Sequence, residues 1–124
     1  MQKPRIPIWV VGAWPRSKSM QRALRYDGLL PQVLTEDGKP SQATPDDLRQ
    51  IGTHITANRP VTDPYDIIVE GTTDGDDPVK AANTVRPWMN AGATWWIEAL
   101  WEANEKPNGF NLVRKRLLEG PPRL

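Results

Sequence analysis

Tyr65-Asp66-Ile67-Ile68-Val69-Glu70, then Gly71-Thr72-Thr73-Asp74-Gly75-Asp76-Asp77, then Pro78 is the stretch on which the fold turns. A short, largely apolar run reads as a strand. The polar loop after it ends in Asp76 or Asp77, either of which is a helix N-cap, and Pro78 suits the first helical position. Val79, Ala82, Val85 and Met89 follow as the expected apolar face, with Pro87 predicting a kink or an early stop. This is one strand-loop-helix unit.

The same unit recurs on both sides. Upstream, Ile6-Pro7-Ile8-Trp9-Val10-Val11 is a near-continuous apolar run ended by Gly12, as expected of a strand covered on both faces. Met20, Ala23 and Leu24 then mark a helix face that Ser17 or Ser19 would cap. A second strand spans Gly28 to Leu34, with its regular part expected to end near Leu30 because Pro31 has no N–H to give a ladder. Thr44-Pro45-Asp46-Asp47 opens the next helix, which should bury Leu48, Ile51 and Ile55. Downstream, Thr94-Trp95-Trp96-Ile97-Glu98-Ala99-Leu100 is the fourth strand. Phe110, Val113 and Leu117 form the stripe of the last helix, stopped by Gly120-Pro121-Pro122.

Four such units in 124 residues average about 31 residues each. A (β/α)8 TIM barrel needs eight units in about 250 residues, so the chain supplies half of one. The expected fold class is therefore α/β: residues 1–124 as a single (βα)4 half-barrel domain. A small doubly wound sheet of four strands is the competing architecture, since its units look alike in sequence.

Composition narrows the function classes. Sixteen basic and fifteen acidic residues leave a net charge of +1, against the clustered basic excess of a nucleic-acid binder. Arg114-Lys115-Arg116, the densest basic run, reads as a solvated helix face. There is no cysteine, so thiol catalysis and cysteine-ligated metals are excluded. The opening Met1-Gln2-Lys3-Pro4-Arg5 leads into a run too short for a signal peptide, and nothing approaches the roughly 20 apolar residues of a membrane span. The expectation is a soluble, cytoplasmic protein without membrane or nucleic-acid partners. His54, beside Ile51 and Ile55, has no partner at ligand spacing and reads as a helix-surface histidine; no metal site is expected.

Ile6-Pro7-Ile8-Trp9-Val10-Val11-Gly12-Ala13-Trp14-Pro15, with Arg22-Ala23-Leu24-Arg25-Tyr26-Asp27-Gly28 after it, resembles the C-terminal region of the luciferase-like flavin-dependent oxidoreductases. Glu70-Gly71-Thr72, Gly75-Asp76-Asp77-Pro78, Ala91-Gly92-Ala93-Thr94-Trp95-Trp96-Ile97-Glu98 and Glu119-Gly120-Pro121-Pro122-Arg123 are similar to bacterial members. The likeness covers nearly the whole chain but only the last four of the family's eight units. It implies a TIM barrel that binds FMN or a deazaflavin at the carboxyl ends of its strands, and hydride transfer or monooxygenation on a small-molecule substrate. Where the family has two glycines after Trp-Val, this chain has Val11-Gly12, which restricts approach of the backbone to a phosphate.

The candidate cofactor residues are Gly12, Ala13, Trp14, Arg16, Ser17 and Lys18. Free N–H groups at the start of a helix make an anion site there, which Arg16, Ser17 and Lys18 would complete around a flavin phosphate. The plainer reading is a capped turn with exposed cations. Glu70 and Glu98, at predicted strand ends, are the candidates for acid–base work; each would equally serve by capping a helix or pairing with an arginine. Trp95 and Trp96 must point to opposite faces of their strand, chiefly as packing, and Trp14 is the better candidate for ligand contact.

A half-barrel leaves two strand edges and an apolar inner face to be covered. A homodimer closing a full barrel, or a complementary half-barrel chain, would cover them. The alternative is a non-catalytic fragment that binds a phosphate-bearing ligand or acts as an interaction module, without redox activity.

Overall fold

A computed structural model describes residue 3, residues 5–60, residue 62 and residues 64–124. Met1, Gln2 and Pro4 of the opening run lie outside the described residues. Four strands, β1 (Trp9–Trp14), β2 (Gly28–Val33), β3 (Asp66–Gly71) and β4 (Trp95–Glu98), alternate with helices α1 (Ser17–Ala23), α2 (Pro45–Asn58), α3 (Pro78–Asn90) and α4 (Gly109–Glu119). A 3-10 helix, Trp101–Glu105, for which the sequence pattern carries no signal, precedes α4.

The strands form one parallel sheet in the order β1-β2-β3-β4. A doubly wound sheet reverses its strand order at a switch point, and this sheet has no reversal. Sequence order is that of a barrel wall. Met20 and Ala23 of α1, Leu48, Ile51 and Ile55 of α2, and Trp88 of α3 all pack with Leu29, Ile67 and Val69. Because side chains alternate along a strand, these three strand residues share one face. The helices thus cover that face, and Trp9, Val11, Leu30, Ile68, Trp95 and Ile97 occupy the other.

Local chemistry explains the best-defined helices. At α2 the Thr44 hydroxyl accepts from the Asp47 N–H at 3.2 Å while the Asp47 carboxylate accepts from the Thr44 N–H at 2.8 Å, a closed capping box with Pro45 behind it. At α3 the Asp77 side chain accepts from the Lys80 N–H, with Pro78 at the first position.

Several boundaries depart from expectation. β1 begins at Trp9 and runs through Gly12, which does not end it. Ile6 and Ile8 are left 68% and 47% exposed. Gly12 is buried under α1, where a Cβ would collide with Leu29 and press on Ala23 and Met20; the glycine lets the helix sit close on the strand. Neither Ser17 nor Ser19 caps α1: its N-cap is Arg16, and Ser19 turns back to accept from the Ala13 N–H at 2.9 Å. α3 does not stop early, since it passes through Pro87 to Asn90. Pro87 frees only the carbonyl of Asn83, and both residues face solvent. The buried side of α3 is Ala81, Ala82, Val85 and Trp88; Val79 and Met89 are exposed. A turn of about one residue places the large Trp88 ring on the core in place of Met89. β4 is shorter than expected, four residues ending at Glu98.

Pro31 acts on one side only. Leu34 N–H reaches Trp14 and Asp66 N–H reaches the Asp27 carbonyl. Even residues of β2 therefore bond toward β1 and odd ones toward β3. The N–H that Pro31 lacks would have pointed at β3. The β1–β2 pairing accordingly continues from Gly12 opposite Pro31 to Trp14 opposite Val33, whereas the β2–β3 pairing lapses after Leu29 opposite Ile67.

Among the described residues no helix is long and apolar enough to cross a membrane.

Candidate functional site at the carboxyl ends of the strands

The turn after β1 does not gather its six candidate residues around one space. Gly12 is turned into the helix layer. Trp14 packs against the core, its ring meeting that of His54 at 5.5 Å in an edge-on arrangement. The Ala13 N–H is held by Ser19, and the Ala13 carbonyl accepts from the Arg16 N–H at 2.9 Å. Only Arg16, Ser17 and Lys18 stand exposed, at the start of a seven-residue helix. Within one chain these residues do not fit a flavin phosphate, because the glycine that would let it approach is spent on helix packing.

Glu98 sits in a dense polar knot. Its carboxylate accepts from the Thr73 N–H at 2.5 Å, the Thr73 hydroxyl at 2.8 Å, Trp96 Nε1 at 3.2 Å and Arg116 Nη2 at 3.2 Å. Arg116 also donates to Thr73 Oγ1 at 2.7 Å and, through Nη1, to the Gly120 carbonyl at 2.5 Å. Burial by itself pushes the Glu98 carboxyl up, but the hydrogen bonds from Thr73, Arg116 and Trp96 outweigh it and hold the carboxyl below its ordinary value. A carboxylate fixed in its ionised form by four donors is a poor proton carrier. Its role is to tie the loop after β3 to α4. Lys115 adds a tie to Asp76 at 2.8 Å.

Arg116 and Thr73 were missed by sequence reasoning. In sequence Arg116 reads with its neighbours as a solvated face, but its side chain is only 11% exposed. The spacing of Leu112, Arg116 and Glu119, three and four apart, is the one signal that marks the docked side of α4.

Glu70 faces the other way. It pairs in register with Ile97, and Gly71 pairs with Glu98, so adjacent alternation sets the two carboxylates on opposite faces of the sheet. They are not an acid–base pair. Glu70 is exposed on the helix-free face, at the wall of a cleft of about 210 Å³ that opens where the β2–β3 pairing lapses, with Leu30, Pro31, Gln42 and Trp88 around it.

Trp95 and Trp96 point to opposite faces. Trp95 is half-exposed on the helix-free side and Trp96 packs toward the core. Beyond Trp96, a groove of about 530 Å³ runs along the outer edge of β4 under α4, walled by Ile97, Leu100, Trp101, Val113 and Leu117. Among the described residues no three His, Asp or Glu side chains are grouped to hold a metal ion.

Compared with family models, with curated proteins and with solved structures, the chain finds no match.

Proposed function

We propose that this chain is one half of a flavin-dependent oxidoreductase barrel of the luciferase-like kind, competent only when a second half closes the sheet. The observation that carries the reading is a parallel sheet in sequence order with helices packed on one face and, among the described residues, no strand beyond β1 or β4. The sequence resemblance supplies the chemistry, with FMN or a deazaflavin as cofactor. In this reading the flavin pocket belongs to the closed barrel, built jointly by both halves on the helix-free face; the packing of Gly12 and Trp14 into the helix–sheet contact supports a pocket there over one at the β1–α1 turn. Glu70, exposed at the carboxyl end of that face, is the better acid–base candidate there; Glu98 is structural.

Titrating the purified protein into FMN, and into a deazaflavin, while following cofactor fluorescence tests the reading. Saturable quenching, with NAD(P)H oxidation above that of free flavin and a drop in rate in Glu70→Gln, is the expected result. No quenching by folded protein would overturn it.

A second reading is a non-redox interaction module. Gly12 and Trp14, both built into the helix–sheet contact, favour it. It predicts intact folding and oligomerisation without flavin turnover.

A further inference from the structure

The last helix is docked the wrong way round for a surface helix. Amphipathic helices bury the apolar stripe and leave charge outside. α4 does the reverse: Arg116 and Glu119 face the body, while Phe110, Leu117 and Leu118 are 82%, 76% and 75% exposed. The stripe predicted to mark the core side is the solvent side. Beside it lies the groove under the outer edge of β4, with Trp101 69% exposed at its rim.

The opposite end of the sheet is open in a complementary way. Alternation along β1 sends the backbone groups of Trp9, Val11 and Ala13 to its free edge. α1 covers the carboxyl half of that edge: Ser19 and Arg16 satisfy Ala13, and Arg22 donates to the Val11 carbonyl at 3.2 Å. Among the described residues nothing covers the amino half, which carries the exposed Ile6 and Ile8, with the exposed Val11 side chain at its boundary. It is short, as β4 is short.

We propose that the β4–α4 groove receives the Ile6–Val11 segment of a second copy of this chain, laid parallel to β4, and that the reciprocal junction forms between the other two edges. This rests on the half-barrel reading above and adds where the halves meet. The exposed apolar side chains of the two edges and α4 together amount to roughly 1,000 Å² per copy, against about 800 Å² per partner in a stable complex. A net charge of +1 per chain gives two copies little to repel.

The absence of cysteine makes the test clean. Val11→Cys and Ile97→Cys chains, whose side chains lie on the same face of the sheet, are mixed and treated with a bismaleimide spanning roughly 10 Å, twice the inter-strand spacing. The expected result is a covalent dimer from the mixture that neither variant gives alone. In parallel, Leu117→Glu is expected to halve the light-scattering mass with unchanged far-UV circular dichroism. A mixture that cross-links no better than its components, or a Leu117→Glu chain that keeps the full dimer mass, would overturn the proposal. So would unsubstituted protein that stays monomeric. None of these outcomes is read from flavin, so failure here is separate from failure of the oxidoreductase reading.

Discussion

The indole rings of Trp9 and Trp95 meet with centroids 5.2 Å apart and planes tilted by 54°, although they stand on the two outermost strands. Three inter-strand spacings on a flat sheet are about 14 Å. The rings close that distance by leaning inward over the helix-free face. Trp9 crosses Gly28, its partner in register, and donates Nε1 to the Asp66 carboxylate at 3.1 Å. The other Asp66 oxygen accepts from the Thr94 hydroxyl at 3.0 Å. The amino end of the sheet is therefore drawn together on its concave side, as the floor of a barrel would be.

Gly28→Ala breaks this arrangement. A Cβ at that position would lie 2.6 Å from Trp9 Cδ1 and 2.9 Å from the Asp66 carbonyl oxygen, so the ring must move. A loss of about 1–3 kcal/mol is expected by urea unfolding, with a weakened tryptophan signal in near-UV circular dichroism. Unchanged stability and spectrum would show that the ring does not lie across Gly28.

Arg116→Ala leaves Glu98 without its cation and removes the donor to the Thr73 hydroxyl oxygen. The pair is partly exposed, so a loss of about 2 kcal/mol is expected, less than the 3–5 kcal/mol of a fully buried pair. A double-mutant cycle with Glu98→Gln should show strong coupling; additive losses would contradict the knot described above.

The same knot sets acid sensitivity. The Glu98 carboxyl is held below its ordinary value in the folded chain. Its contribution is then present above the unfolded value, about 4.3, and is lost as pH falls through the lower folded value. Unfolding midpoints at descending pH should fall more steeply in the natural chain than in Glu98→Gln, and parallel profiles would refute this.

Tyr65 gives an alkaline signature. Burial pushes its phenol up to about 12, partly offset by Arg59, whose guanidinium stacks 4.5 Å from the ring centre. The folded state thus keeps a proton that the unfolded chain gives up near pH 10. The contribution is full below pH 10 and is lost as pH rises toward 12. Tyr65→Phe should flatten the fall in stability across that window. An equal fall in both proteins would count against the burial argument.

Much of this fold is legible where the signals are local. Thr44-Pro45-Asp46-Asp47 and Asp77-Pro78 announce α2 and α3 because the cap and the helix it starts are adjacent in sequence. The start of β1 is not legible, because Ile6-Pro7-Ile8 is as apolar as the strand itself and the choice is made by α1 settling onto Gly12. The orientation of α4 is not legible either. Its stripe is plain, but Glu98 and Thr73, distant in the chain, pull Arg116 inward and turn the stripe out. At the candidate site, the strand-end positions of Glu70 and Glu98 could be read in advance. That Glu98 is tied depends on those same distant partners, and that Glu70 stays exposed depends on the sheet face it stands on.

The solution mass of the purified chain by multi-angle light scattering tests the central claim most directly. Closure of the sheet by a second copy predicts about 28 kDa, twice the 14.0 kDa chain. A folded species of about 14 kDa across the concentration range would contradict it.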